Sequence, residues 1–567
     1  MSSEAKWFKF YGDVPHTIEY PDISMYEIIR QTKEKYPQLI AYDFMGKAVT
    51  YEKFLEEIDN CANALNVQGV KKGDTVTVCL PNVPQAVIMF YAINKIGAIA
   101  SMVHPLSAEN EILFYINESK SKLAITLSQF YNKFEGIKGK TKLEKVVVAK
   151  IGEALTTVKG FVYKFIGHEP KVEDSPWVIP WSDFLSGAKK CYEDVLYDGK
   201  GDDDAVILFS GGTTGTSKGI LLTNLNFNAL AMQTVAASGC FSAGDTMISV
   251  MPVFHGFGLG VGIHTMLSSG GKCVLVPRLN VAEFPGLFKK YKPNYMAGVP
   301  TLFEAMMRNE QMKKTDLSSL KGLFSGGDSL SIELKKKIDT FLKERGAKIQ
   351  VREGYGTTEC VTASCLTPIN YYREGSIGIP FPDTYYKIVI PNTNEEVTAR
   401  EMGEICISGP TLMKEYINNP KETSQTLRMH DDGNIYLHTG DLGYMDEDGF
   451  VYFVQRLKRM IITNGYNVYP SQIENVIDAH EAVMFSTVIG VKDELRMQKV
   501  KAFIVLKEGF TLTDEVKESI KAHCEKNIAK YALPREYEYR DKLPKTLVGK
   551  VAYRELEKEE NEKLLVK

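Results

Sequence analysis

Between Asp74 and Val103 the chain changes hydrophobic period twice, and that change limits the folds open to it. Asp74-Thr75-Val76-Thr77-Val78-Cys79-Leu80 reads as a strand closed by Pro81. Pro84 to Lys95 has helical periodicity and stops at Gly97, and Ala98 to Val103 reads as another strand. Strand–helix–strand alternation of this kind makes βαβ units and therefore parallel sheet. With 567 residues one core is not enough, so at least two domains are expected. The expected class is α/β: a large N-terminal domain of several subdomains with mainly βαβ sheets, plus a small α+β C-terminal domain. A turn at Asp446-Glu447-Asp448-Gly449 and a self-contained strand–helix pattern beyond it put the boundary at Lys458, giving residues 1–457 and 458–567. The charged stretch from Lys164 to Asp204, with its Pro and Trp residues, reads as a surface excursion.

Charge and cysteine usage exclude several classes of function. A net charge of −3 offers no basic excess to neutralise nucleic-acid phosphates. Met1 to Trp7 lacks a signal-peptide core, and no apolar run reaches membrane-spanning length. The nine cysteines are dispersed from Cys61 to Cys524 without a Cys-x-x-Cys pair. That pattern reads as reduced, mostly buried thiols, and the spacings carry no zinc site. The expected location is cytoplasmic, with peripheral contact at the inner membrane surface left open, as is a homodimer.

The most suggestive loop is Ser210-Gly211-Gly212-Thr213-Thr214-Gly215-Thr216-Ser217-Lys218-Gly219, set between the apolar runs Ala205–Phe209 and Ile220–Leu222. Glycine lets backbone approach an anion, hydroxyls and amides donate, and one lysine adds a point charge. The loop reads as a phosphate cradle, although it is not a Walker A loop, because Ser217 precedes Lys218. Gly354-Tyr355-Gly356-Thr357-Thr358-Glu359 sets an aromatic face beside hydroxyls and a carboxylate, a hard oxygen ligand for Mg²⁺. A Gly-rich turn with a capping glutamate explains it equally well. In Tyr436-Leu437-His438-Thr439-Gly440-Asp441 the carboxylate can accept two ribose hydroxyls, or it stabilises a turn. His255, inside Pro252-Val253-Phe254-His255-Gly256-Phe257-Gly258, reads first as a packed core residue. Gln455-Arg456-Leu457-Lys458 and Pro544-Lys545-Thr546-Leu547-Val548-Gly549-Lys550 are ordinary surface taken singly. Their order along one chain carries the weight.

Together these segments resemble the adenylate-forming superfamily, which holds acyl-CoA synthetases, luciferases and peptide-synthetase adenylation domains. The similarity runs from about Tyr26 to Arg554. It implies a mobile C-terminal domain, ATP and CoA as substrates, and Mg²⁺. The resemblance assigns Ser210, Gly211, Gly212, Thr213, Thr214, Gly215 and Lys218 to the β- and γ-phosphates. Gly211 stands where a hydroxyl is usual and Ser217 where proline is common. It assigns Gly326, Gly327, Asp328, Tyr355 and Gly356 to adenine, Thr358 to the α-phosphate, and Glu359 with Thr213 to Mg²⁺. Asp441 and Arg456 match the ribose-binding pair, and Lys458 the hinge. Gly465 lies in the loop that reaches the pantetheine tunnel. Lys550 matches the lysine that orients carboxylate and α-phosphate, and His255 the gate near the acyl carboxylate.

The reaction implied is that of an AMP-forming acid–thiol ligase. Ala237-Ser238-Gly239-Cys240-Phe241 offers no acid for an amino-acid amine, and no carrier domain follows, so CoA is the expected acceptor. The insertion from Val146 through Ile166 resembles that of long-chain fatty acyl-CoA ligases, which makes a medium- or long-chain fatty acid the expected substrate. An aromatic or sterol-type acid is the alternative, and a non-catalytic nucleotide-binding relative is a third reading. Leu155, Val158, Phe161, Val162 and Phe165 share one helical face, which suits a membrane surface or packing on the protein itself.

Overall fold

The computed structural model describes residues 5–156, 158–160, 163, 170–191, 195–210, 217–278, 280–463, 466–493, 497–545 and 551–565. Among these residues four sheets form, of nine, eight, five and five strands. The helix Pro84–Lys95 shows how the eight-stranded sheet is held. Proline at its first turn needs no hydrogen-bonded N–H, and Gly97 at φ +70° lets the chain leave it. All 12 of its residues are buried, against the helix Tyr51–Val67 and the strands Thr75–Cys79 and Ile99–Met102. A helix apolar on every side belongs inside a core. Even Lys95 is buried, its ammonium 2.9 Å from Asp59. Phe90→Ala here would cost about 3–5 kcal/mol through lost transfer energy and a cavity.

Thr75–Cys79 pairs in parallel with both Ile99–Met102 and Leu123–Leu127, the βαβ arrangement expected from the sequence. Ile99–Met102 pairs in parallel with Asp204–Ser210, which turns back antiparallel into Lys218–Thr223. Thr223 then caps the helix Asn224–Ser238 in a reciprocal box with Asn226. The stretch before Asp204 is more than an excursion. Val178–Pro180 adds an edge strand beside Lys145–Ala149, and Trp177, Trp181 and Phe184 are buried. The large rings, unreadable as periodicity in so polar a stretch, draw it into the core.

The third sheet is antiparallel and contains Gly403–Ser408, Ile435–Met445 and Val451–Arg456. The fourth belongs to the smaller α+β C-terminal domain, and its residues alternate between two faces. Val488, Ala502 and Ile504 pack with the helices Pro470–Asp478 and Asp514–Asn527. Ile489, Phe503 and Val505 face Leu556 of the helix Tyr553–Leu565 instead.

Of the five residues expected on one amphipathic face, the structure describes two, and Leu155 departs from the expected helix. Leu155 has extended backbone and is buried, whereas Val158 is 76% exposed. Phe161, Val162 and Phe165 lie outside the described residues. Among the described residues no helix is long and apolar enough to cross a membrane.

Candidate active site

Strands of the two largest sheets carry the expected residues at their ends. Ser210, Gly326 and Tyr355 all stand at or just beyond the carboxyl ends of strands, where open α/β sheets bind ligands. Ser210 and Lys218 are cross-strand partners, and the Ser217 hydroxyl donates to the Ser210 carbonyl at 2.7 Å. Gly211, Gly212, Thr213, Thr214 and Gly215, which join them in sequence, lie outside the described residues. The Lys218 ammonium pairs with Glu422 and sits 4.7 Å from the centre of the Tyr416 ring. Tyr416 in turn donates its hydroxyl to Glu359 Oε1 at 2.7 Å. Nothing in the sequence pattern singled out Tyr416 or Glu422. The short strand Glu415–Tyr416, added to the edge of Lys218–Thr223, brings them in.

Glu359 lies in the single turn Thr358–Cys360, held by its carbonyl accepting from Met413 N at 2.7 Å. Val361 and Thr362 follow at φ +53° and +68°, a conformation that β-branched residues adopt only under strain of about 1–3 kcal/mol each. Gly356 is required where it stands: a Cβ there would meet the Thr362 carbonyl carbon at 2.6 Å. The tight turn therefore fixes Thr358 and Glu359 directly after Tyr355.

A second group of the expected residues is built on the antiparallel sheet. Asp441 and Arg456 face each other across neighbouring strands, with Arg456 Nε 3.2 Å from Asp441 Oδ1. The Tyr355 hydroxyl donates to Asp441 Oδ2 at 2.7 Å. Burial, then the Asp441 charge, holds the Tyr355 phenol far above its ordinary range. Asp441 in turn raises the Arg456 guanidinium. Behind this pair Glu404 Oε1 accepts from Gly440 N at 2.9 Å, and Glu404 Oε2 lies 3.1 Å from His438 Nδ1. Gly327 turns at φ +78°, and exposed Asp328 adds to the negative field on Arg459.

Lys458 follows Arg456 in the turn Leu457–Arg459. Its ammonium is held below the usual lysine range by burial and then by nearby Lys218. Two residues distant in sequence thus share one field with Glu422. Gly465 and Lys550 lie outside the described residues. Flanking Lys550, Lys545 bridges to Val551, and the Tyr553 ring lies 4.7 Å from the Arg459 guanidinium. His255 lies two residues before the π-helical segment Phe257–His264, a form often found at functional sites. Its Nδ1 accepts from Phe257 N at 3.2 Å, and it is half-buried rather than a core residue.

The chain as a whole has relatives among known proteins. The model of the AMP-binding enzyme family matches residues 29–417, and that of the AMP-binding enzyme C-terminal domain matches residues 472–550. A long-chain-fatty-acid–CoA ligase of Bacillus subtilis is 34% identical, over 99% of each chain. One from Salmonella typhimurium is 33% identical over 98% of each. ATP-bound MatB from Rhodopseudomonas palustris superposes with a TM-score of 0.82 at 23% identity, covering 95% of this chain and 99% of its own. The anthranilate CoA ligase AuaEII, in complex with anthranoyl-AMP, gives 0.80 at 24% identity over 97% and 98%. At such identities these two structures establish the fold alone. With the family models spanning most of its length, the chain belongs to the AMP-binding enzymes.

Proposed function

We propose that this protein is an ATP-dependent, AMP-forming acyl-CoA synthetase acting on a medium- or long-chain fatty acid. One observation carries the reading: Tyr355, Asp441 and Arg456 touch one another, Arg456 feels the charge of Glu359, and Lys458 feels those of Arg456 and Lys218. The choice of acid follows from the full-length relatives named long-chain-fatty-acid–CoA ligases.

A carboxylate is a poor electrophile with a poor leaving group. Attack of its oxygen on the ATP α-phosphorus forms an acyl-adenylate and expels pyrophosphate. The CoA thiol then attacks the acyl carbon, AMP departs, and the thiol proton passes to solvent. In this reading the Tyr355 ring flanks adenine, bounded by Gly326, Gly327, Asp328 and Gly356, while Asp441 accepts the ribose hydroxyls and Arg456 steadies it. Lys218 exchanges Glu422 for a phosphate oxygen, Ser210 through Gly215 donate to the β- and γ-phosphates, and Thr358 donates to the α-phosphate. Lys550 orients the two reacting groups, and His255 lines the approach of the acid.

Glu359 presents an oxygen donor beside Thr358, a set that fits Mg²⁺, with Thr213 as a further ligand. Bound there, the ion would neutralise phosphate charge as it builds. Preorganised donors aimed at developing charge lower the barrier selectively. Residues 1–457 and 458–567 act as two bodies hinged at Lys458, and rotation exchanges Lys550 for the loop containing Gly465.

The test is pyrophosphate release from ATP and Mg²⁺ across fatty, aryl and sterol acids, each with and without CoA. CoA-dependent turnover peaking on medium or long chains is expected. A peak on cyclic acids would keep the mechanism and replace the substrate. No turnover on any acid, with ATP bound, would overturn the synthetase reading.

A further inference from the structure

Behind the Gly440–Asp441 corner, three soft or borderline ligands meet in a buried space. Glu404 and Cys406, two apart on one strand, point to the same face of the sheet. Cys406 is the cross-strand partner of His438. His430 arrives from the turn joining Leu427–Met429 to Ile435–Met445, where His430 N donates to Asn434 O at 3.0 Å. The ligand atoms of Cys406, His430 and His438 all lie within 4.8 Å of one another. The three residues are only 0%, 4% and 6% exposed, so water does not account for the arrangement.

The hydrogen bonding leaves these donors aimed inward. Glu404 accepts from His438 Nδ1–H, which leaves a lone pair on His438 Nε2. That atom lies 3.0 Å from His430 Nε2. A simple hydrogen bond between the rings would use neither Cys406 nor His430 Nδ1, and the latter is buried without a partner among the described residues. Tetrahedral zinc, with nitrogen at ~2.0–2.1 Å and sulfur at ~2.3 Å, spaces its donors about 3.3–3.6 Å apart. The two imidazole nitrogens, 3.0 Å apart, are slightly closer than that, and all three ligand atoms lie within 4.8 Å of one another. A carboxylate behind a ligating histidine is also the arrangement that fixes ring orientation at metal sites.

We propose that Cys406, His430 and His438 bind a zinc-class divalent metal ion, with Glu404 orienting His438. Thiolate with imidazole selects zinc over magnesium or calcium. Binding replaces the Cys406 thiol proton, which leaves to solvent. The ion ties two strands to a turn, and through Glu404 and Gly440 N it steadies the segment carrying Asp441. The spacing of cysteines along the chain does not reveal the site, because strand pairing rather than sequence proximity assembles it.

The test uses the full-length protein expressed in zinc-supplemented medium and purified without chelator or affinity tag. Elemental analysis should find zinc in stoichiometric amount, and Co²⁺ exchange should give thiolate-to-cobalt absorption in the near ultraviolet. Cys406→Ser should abolish that band, and His430→Asn should weaken Zn²⁺ affinity at least ~10-fold. The measurements on the unsubstituted protein need no variant to fold. Wild-type protein with neither zinc nor a cobalt spectrum, yet with native circular dichroism, would overturn the proposal. So would a cobalt spectrum that survives Cys406→Ser.

Discussion

Asp441, proposed to read the ribose, and Lys218, proposed to meet phosphate, are both ion-paired, yet the two pairs are built differently. The Asp441 side chain is 2% exposed, fixed by strand register opposite Arg456 and by the Tyr355 hydroxyl. Lys218 and Glu422 are 17% and 33% exposed, and Glu422 comes from the seven-residue helix Pro420–Thr426. Arg456 itself is 44% exposed, so the fixed member of this pair is the Asp441 carboxylate, which water does not reach and which would be costly to leave without its partners. A half-exposed pair is worth little, so phosphate can displace its carboxylate. Under the proposed function the difference separates two tasks: a buried, preformed acceptor for the nucleoside, and a phosphate-binding cation held by a partner it can exchange.

The hardest way to break the phosphate half is Lys550→Ala. Removing a preorganised charge aimed at the transition state typically lowers the rate by about 10²–10³. Pyrophosphate release should fall by that factor, while thioester formation from supplied acyl-adenylate is retained. Unchanged pyrophosphate release would remove Lys550 from the first step. Asp441→Asn tests the other half. A hydrogen bond to a charged group contributes ~1.5–3 kcal/mol, so ATP affinity measured by calorimetry should fall about 10- to 100-fold. An unchanged affinity would mean that the sheet does not read the ribose.

How legible this comparison was in the sequence follows from the range of each contact. The βαβ core could be read because period, Pro84 and Gly97 are local signals. Tyr355, Glu359, Asp441 and Arg456 stood out through the family resemblance, and the structure adds that the first, third and fourth touch. Tyr416 and Glu422 carried no signal, since the strand pairing that places them spans almost two hundred residues, from Lys218–Thr223 to Glu415–Tyr416. The Cys406–His430–His438 cluster was hidden for the same reason, and Trp177 to Phe184 were misjudged because a polar stretch masked three buried rings. Local patterning gives elements, whereas register decides which side chains meet.

The rigid half also has a cost that can be measured. Glu353, two residues before Tyr355, is buried, and burial pushes its carboxyl from 4.5 up to about 8. The unfolded chain releases this proton at neutral pH and the folded one retains it. Stability from this group is therefore full below pH ~4.5 and falls as pH rises toward about 8. Gln keeps an acceptor for Leu330 N, which lies 3.3 Å from Glu353 Oε1. Glu353→Gln should raise the apparent Tm at about pH 8, by ~1–3 kcal/mol of stability, and change little near pH 5. An equal shift at both pH values would assign the effect to packing instead of ionisation.

Glu422→Gln should have the smallest effect, and its sign is what separates the two halves. If Glu422 competes with phosphate for Lys218, removing its charge frees the ammonium and lowers the KM for ATP. A half-exposed pair of this kind contributes ~0.2–1 kcal/mol, so the gain is limited to about 1.5- to 5-fold. Tyr416 still covers one side of Lys218, which keeps the ammonium near the cleft after the charge is gone. Lys458, which already feels Lys218, then faces a less compensated cation and should itself titrate at lower pH. The difference between variant and wild type should shrink as salt is added, because screening weakens the pair before any nucleotide arrives. A rise in KM at every salt concentration would show that Glu422 positions Lys218 for catalysis, and the phosphate half would then be as fixed as the sheet that holds Asp441.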